Sequence, residues 1–130
     1  MTRKKLLLVD DSNTALLMEQ MILRNRTNFH LLIAHDGMEA VEKTLTEMPD
    51  LIVMDVVMPR MTGIEACRQI RGHKATQHIP IILVTTRGEP ENVEIGYASG
   101  CNDYVTKPIA GSELLSKIED LIGAEQGAVR

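Results

Sequence analysis

Cysteine is scarce in this chain of 130 residues, with only Cys67 and Cys101. Their separation matches no metal-ligand pattern, and a chain long enough to bury its own core needs no disulfide stapling. A reduced protein of the cytoplasm is the expectation. Long apolar runs are missing as well. The longest, Leu6 to Val9 and Ile79 to Val84, fall far short of the roughly 18 residues that a membrane-spanning helix needs. Arg3, Lys4 and Lys5 before the first run superficially suggest an export signal, but Asp10 and Asp11 end that run after four residues. Neither export nor membrane association is expected. Positive charge is also short: the net charge is -4 and the bases are scattered. Without a basic stripe there is no electrostatic case for direct nucleic-acid binding.

What is present is an ordinary globular composition, 44% hydrophobic and 25% charged, which excludes a disordered or collagen-like chain and fits one domain. Short apolar runs at Leu6 to Val9, Leu31 to Ala34, Leu51 to Met54, Ile81 to Val84 and Tyr104 to Val105 read as five strands. Segments of helical spacing alternate with them, for example Leu16, Met18, Met21 and Ile22 in the first and Leu114, Leu115, Ile118, Leu121 and Ile122 in the last. Five helices result. Ser12 and Ser112 are the expected caps of the first and last, while Gly37, Gly63 and Gly72 mark joins between elements. This alternation implies right-handed crossovers and a parallel sheet covered on both faces, a three-layer α/β sandwich. The domain is expected over residues 1–123, with 124–130 a polar tail or the start of a linker.

Sites in such sheets form outside the carboxyl ends of the strands. Asp10, Asp11, Asp55, Thr85 and Lys107 all fall at those ends. Each is bland alone: the Asp10-Asp11 pair reads as an acidic turn, Asp55 as a cap or turn residue, Thr85 as a β-former and Lys107 as a solvated cation. Together they make a different case. Placing the first and third strands side by side brings Asp55 close to Asp10 and Asp11, where mutual repulsion raises pKa values and a hard dication relieves it. An oxygen-rich set of this kind suits magnesium, which keeps some of its waters and can exchange them for phosphate oxygens.

The motifs Val9-Asp10-Asp11-Ser12, Asp36-Gly37-Met38-Glu39-Ala40 and Asp55-Val56-Val57-Met58-Pro59, with Gly63, Thr85 and the stretch from Gly100 to Pro108, resemble the receiver domain of two-component response regulators. The resemblance runs from about Lys4 to Gly123. It implies a flavodoxin-like sandwich with strand order 2-1-3-4-5. It also implies that Asp55 accepts a phosphoryl group from a histidine kinase or phosphotransfer protein. Asp10, Asp11, Asp55 and the Val57 carbonyl would hold magnesium, with manganese as a substitute. Thr85 would hydrogen-bond the phosphoryl group, Lys107 would pair with it, and Lys107-Pro108 would be cis. Tyr104, one of the three aromatics of the chain, occupies the family's switch position. Its ring would turn inward after Thr85 moves, altering a protein-binding face of the fourth helix, fifth strand and fifth helix.

By the same resemblance, Val57 and Arg87 flank the phosphoryl group and set its lifetime, and a slow hydrolysis is expected because the Val57 side chain cannot orient water. Thr86 and Cys101 stand where smaller residues are common in the family. The output partner is a downstream protein or an attached effector domain. The chain itself is expected as a monomer or as a weak dimer formed on phosphorylation through the face that carries Ile95 and Tyr97. Two other classes compete. A phosphatase of the haloacid-dehalogenase type also forms an aspartyl phosphate, but it expects Asp-x-Asp after its first strand, whereas Asp10 and Asp11 are adjacent and Asp55-Val56-Val57 lacks the second acid. A receiver-like module that binds partners without phosphorylation would not need the acceptor set present here. The expected activity is therefore self-directed phosphoryl transfer and dephosphorylation, not turnover of external substrates.

Overall fold

The computed structural model describes residues 3–86 and 90–123. Each apolar run becomes a strand, and each strand runs longer than its apolar part: β1 is Lys5–Val9, β2 His30–Ala34, β3 Leu51–Asp55, β4 Ile81–Thr86 and β5 Asp103–Lys107. The extra residues are polar ones at strand ends, where pairing continues after the apolar run has stopped. Helices α1 (Asn13–Arg26), α2 (Gly37–Glu47), α3 (Gly63–Gly72), α4 (Pro90–Ala98) and α5 (Gly111–Ile122) alternate with them. All four pairings are parallel and the sheet order is β2-β1-β3-β4-β5. The flavodoxin-like sandwich and its strand order are as the sequence implied.

Successive side chains in a strand point to opposite faces. One face carries Leu7, Val9, Ile52, Met54 and Leu83 and packs against Ala40 and Val41 of α2 and Ala66, Cys67 and Ile70 of α3. The other carries Leu6, Leu8, Val53, Ile82 and Val84 and packs against Leu16 and Leu23 of α1 and Leu114 and Ile118 of α5. Each such fully buried aliphatic side chain contributes about 1.5 to 3 kcal/mol by leaving water. Cys67 and Cys101 are both free and buried in the first cluster. Burial pushes both thiols up, Cys101 to about 11, so neither is a nucleophile at neutral pH.

Two local expectations need correction. In α1 the residues turned to the core are Leu16, Glu19 and Leu23, whereas Met18 and Met21 are each 56% exposed. Leu16, Glu19 and Leu23 lie at i, i+3 and i+7, one stripe of a helix, so the sheet selects a stripe that includes an acid. Ser12 does cap this helix, accepting from the Ala15 amide at 3.2 Å. Ser112 caps nothing: α5 starts at Gly111, its N-cap is Ala110 with no side-chain hydrogen bond, and Ser112 lies within the first turn. The expected tail 124–130 lies outside the described residues.

Candidate functional site

β1 and β3 are neighbours with Val9 opposite Met54, so the next residues, Asp10 and Asp55, emerge side by side at the carboxyl edge of the sheet. Asp55 pairs with Val84 and Lys107 with Thr86. The alternation along each strand puts Asp10, Asp55 and Lys107 on the side covered by α1 and α5. Asp10 and Asp55 are buried, and Asp11 at the head of the loop is exposed. One carboxylate oxygen from each of Asp10, Asp11 and Asp55 lies within 4.8 Å of the others.

Local hydrogen bonds fix the two buried acids. Asp10 Oδ1 accepts from the Ser12 amide at 2.9 Å, and Asp55 Oδ1 accepts from the Val57 amide at 3.4 Å. Lys107 Nζ spans the pair, donating to Asp55 Oδ2 at 2.9 Å and to Asp10 Oδ2 at 3.2 Å. Burial raises the Asp55 pKa above the ordinary carboxylate value; the Lys107 hydrogen bond opposes this, and the charge of Asp10 adds to it. Burial alone would lower the Lys107 ammonium, but the hydrogen bonds and charges of Asp55 and Asp10 outweigh it and hold its pKa above the usual value.

The loop after β3 is pinned from both sides. Gly63 donates to Val56 O at 2.9 Å, and a Cβ there would sit 2.1 Å from Asp55 O, so only glycine admits this approach. Arg60, at φ 64, pairs with Asp36 at 2.7 Å, and Asp36 also caps α2 through the Glu39 amide. The Val57 side chain is exposed. Thr85, one residue past the partner of Asp55, is buried, and its hydroxyl has no hydrogen-bond partner among the described residues. Such an orphan costs about 1 to 3 kcal/mol, which a folded protein keeps for a reason.

Residues 6–119 match the response regulator receiver domain family. The chain belongs to it. Among curated relatives, the alkaline phosphatase synthesis transcriptional regulatory protein PhoP of Bacillus subtilis is 37% identical over 119 residues, covering 92% of this chain and 48% of that protein. The chain spans about half the length of the curated relatives it matches. Among solved structures, a response regulator from Chloroflexus aurantiacus superposes with a TM-score of 0.89 at 30% identity, covering 93% of this chain and 98% of that one. The receiver domain of a sensor histidine kinase from Pseudomonas aeruginosa, with a magnesium ion coordinated in its active-site cleft, gives 0.84 at 29% identity and covers 95% and 100%. This chain is thus a receiver domain of two-component response regulators, a signalling phosphoacceptor family.

The receiver's expected site residues converge: Asp10, Asp11, Asp55 and Lys107 in one cleft, with Thr85 at the adjoining strand end. Lys107-Pro108 is cis. Tyr104 is half-buried, its ring 6.2 Å from that of Tyr97 in an edge-on arrangement and 4.9 Å from Lys117 Nζ. Ile95 and Tyr97 are exposed on α4 beside it. Arg87 lies outside the described residues. Two features escaped sequence reasoning. The Arg60–Asp36 pair has no local signal, because its partners are far apart in the chain. Glu19 had one: three residues after Leu16 and four before Leu23, it sits on the stripe those two leucines define.

Proposed function

We propose that Asp55 is the phosphoacceptor of this receiver, that the cleft works with magnesium or manganese, and that phosphorylation resets the α4–β5–α5 face for a protein partner. The observation that carries this reading is a buried carboxylate, Asp55, hydrogen-bonded at 2.9 Å to Lys107 and grouped with Asp10 and Asp11 within 4.8 Å. Oxygen donors alone make up the cluster, which fits a hard dication. Asp10, Asp11, Asp55 and the Val57 carbonyl would hold it. When bound, it offsets the negative charge that otherwise keeps a carboxylate away from a phosphate.

An Asp55 oxygen attacks the phosphorus of a phosphohistidine, a P–O bond forms, and the P–N bond breaks with its electron pair leaving on the imidazole. Lys107 then faces an acyl phosphate and pairs with a phosphoryl oxygen. The Thr85 hydroxyl, now unpartnered, donates to another. The donor class is a sensor histidine kinase or phosphotransfer protein, and a small acyl phosphate can replace it because the receiver supplies the alignment. The output is a downstream protein or an attached effector, and the setting is the cytoplasm. No helix among the described residues is long and apolar enough to cross a membrane.

Incubation with acetyl phosphate and magnesium, followed by intact-mass measurement, tests the reading. Wild type gains one phosphoryl group and Asp55→Asn gains none, while chelation of the metal suppresses the wild-type gain. Undiminished labelling of Asp55→Asn would place the acceptor elsewhere.

A further inference from the structure

Glu19 is an anomaly that phosphoryl transfer leaves unused. It faces inward from the second turn of α1, is 2% exposed, and its Oε1 has no hydrogen-bond partner among the described residues. Beside it lies an open-sided pocket of about 390 Å³ between α1 and the β5–α5 loop. Ala15, Met18, Ile22, Pro108 and Ile109 form its apolar walls. The volume falls at the lower end of the range for small-molecule sites, about 300 to 1,000 Å³, and the lining follows their usual pattern of apolar walls with one or two convergent polar groups.

The sign of the charge that would satisfy Glu19 can be read from its neighbours. Lys107 borders the pocket, but its ammonium is turned to Asp55 and Asp10 at 2.9 and 3.2 Å, so its charge is already matched. Burial first, then the charge of Asp10, pushes the Glu19 carboxyl up to about 8; Lys107 opposes this and Asp55 adds to it. An acid in that setting lacks a cation of its own among the described residues.

We propose that this pocket binds a compact amphipathic organic cation, its ammonium taking the place of the Glu19 carboxyl proton, which leaves to solvent, and its hydrocarbon body lying against Met18, Ile22, Pro108 and Ile109. The ligand supplies the missing donor and covers apolar surface in one step. A purely apolar molecule would leave the carboxyl orphaned, and an anion would be repelled by the charges of Asp10 and Asp55 that already raise Glu19.

The test is a backbone-amide NMR titration of the whole chain with n-hexylammonium and with its neutral isostere n-hexanol. Saturable shifts at Ala15, Ile22 and Ile109 are expected with n-hexylammonium, with about tenfold or more weaker binding of n-hexanol, since a charge-assisted hydrogen bond is at stake. Glu19→Gln keeps the shape, removes the ability to ionise and should weaken n-hexylammonium to the level of n-hexanol. Equal affinity for the two probes, undiminished binding by Glu19→Gln, or shifts confined to Asp10, Asp11 and Asp55 would each overturn the proposal. Binding is read without phosphoryl transfer, so the outcome is separate from that of the Asp55 experiment.

Discussion

A carboxyl group that keeps its proton in the fold ties stability to pH, and among the described residues Glu19 is the one where this tie is strongest. Its ordinary value is 4.5 and its folded value about 8. Between those values the unfolded chain has lost the proton while the folded chain holds it, so folding takes a proton up and stability falls as pH rises. Below about pH 4.5 both states are protonated and the penalty vanishes. At pH 7 the group costs on the order of 3 kcal/mol relative to a neutral side chain, at about 1.4 kcal/mol per pH unit. Glu19→Gln is neutral throughout and escapes this term. Urea unfolding in the presence of a chelator should therefore show Glu19→Gln gaining on wild type between about pH 5 and about pH 8, because every other titrating group is common to both proteins. Parallel stability curves would mean that Glu19 ionises normally. Asp55 shares the direction of shift, with burial as its largest cause, but it has Lys107 as an immediate counter-charge. That contrast, one buried acid with a cation and one without among the described residues, separates the proposed phosphoacceptor from the anomalous carboxyl.

Elements, not residues, explain why glycine is needed at Gly63 and not at Gly72. Both belong to α3, where alanine is intrinsically better by about 1 kcal/mol. A Cβ on Gly63 would collide with the Asp55 carbonyl at 2.1 Å, while nothing lies within 4 Å of one on Gly72. Gly63→Ala should cost about 1 to 3 kcal/mol by forcing the start of α3 off β3. Gly72→Ala should be neutral or gain about 0.4 to 1 kcal/mol. Denaturant midpoints read both, and a stable Gly63→Ala would show that the loop after β3 can yield. The same scale marks what the sequence made legible. Strands were readable because each apolar run is continuous and ends in a polar residue, and the ends of β1, β3, β4 and β5 carry the cleft residues. Helix faces were less so. In α1 the apolar residues Leu16, Leu17, Met18, Met21, Ile22 and Leu23 surround most of the helix, so periodicity alone cannot choose a stripe, and the sheet's choice of Leu16, Glu19 and Leu23 is tertiary. The start of α5 failed for a related reason: a serine near a helix start caps only if it stands one place outside, and Ser112 is inside.

Across the whole molecule the question is how a change at Asp55 reaches a surface a partner can read. β4 and β5 connect the two: Thr85 is paired with Thr106, and Leu83 with Tyr104. A phosphoryl group adds a charge of about -1.5 to -2 and strong acceptor oxygens, and an unused donor at the adjoining strand end is the buried Thr85 hydroxyl. On the proposed switch, drawing Thr85 toward the cleft would vacate space beside β5. Tyr104 would turn into that space; its ring now packs edge-on with Tyr97 and under Lys117, which also bonds Asp103 at 3.1 Å. These contacts are weak individually, each worth about 0.5 to 1.5 kcal/mol at a part-exposed site, so an energy available from charge-assisted bonding at the cleft is enough to exchange them. With a beryllium fluoride complex as a stable phosphoryl mimic, NMR should show the ring resonances of Tyr104 and Tyr97 moving together with amides of α4, β5 and α5. Thr85→Val, which keeps the shape and removes the donor, should leave the mimic bound yet sharply reduce the movement at Tyr104. Shifts limited to Asp10, Asp11, Asp55 and Lys107 in wild type, or a Tyr104 response unchanged by Thr85→Val, would break the link between the cleft and the face at its first step.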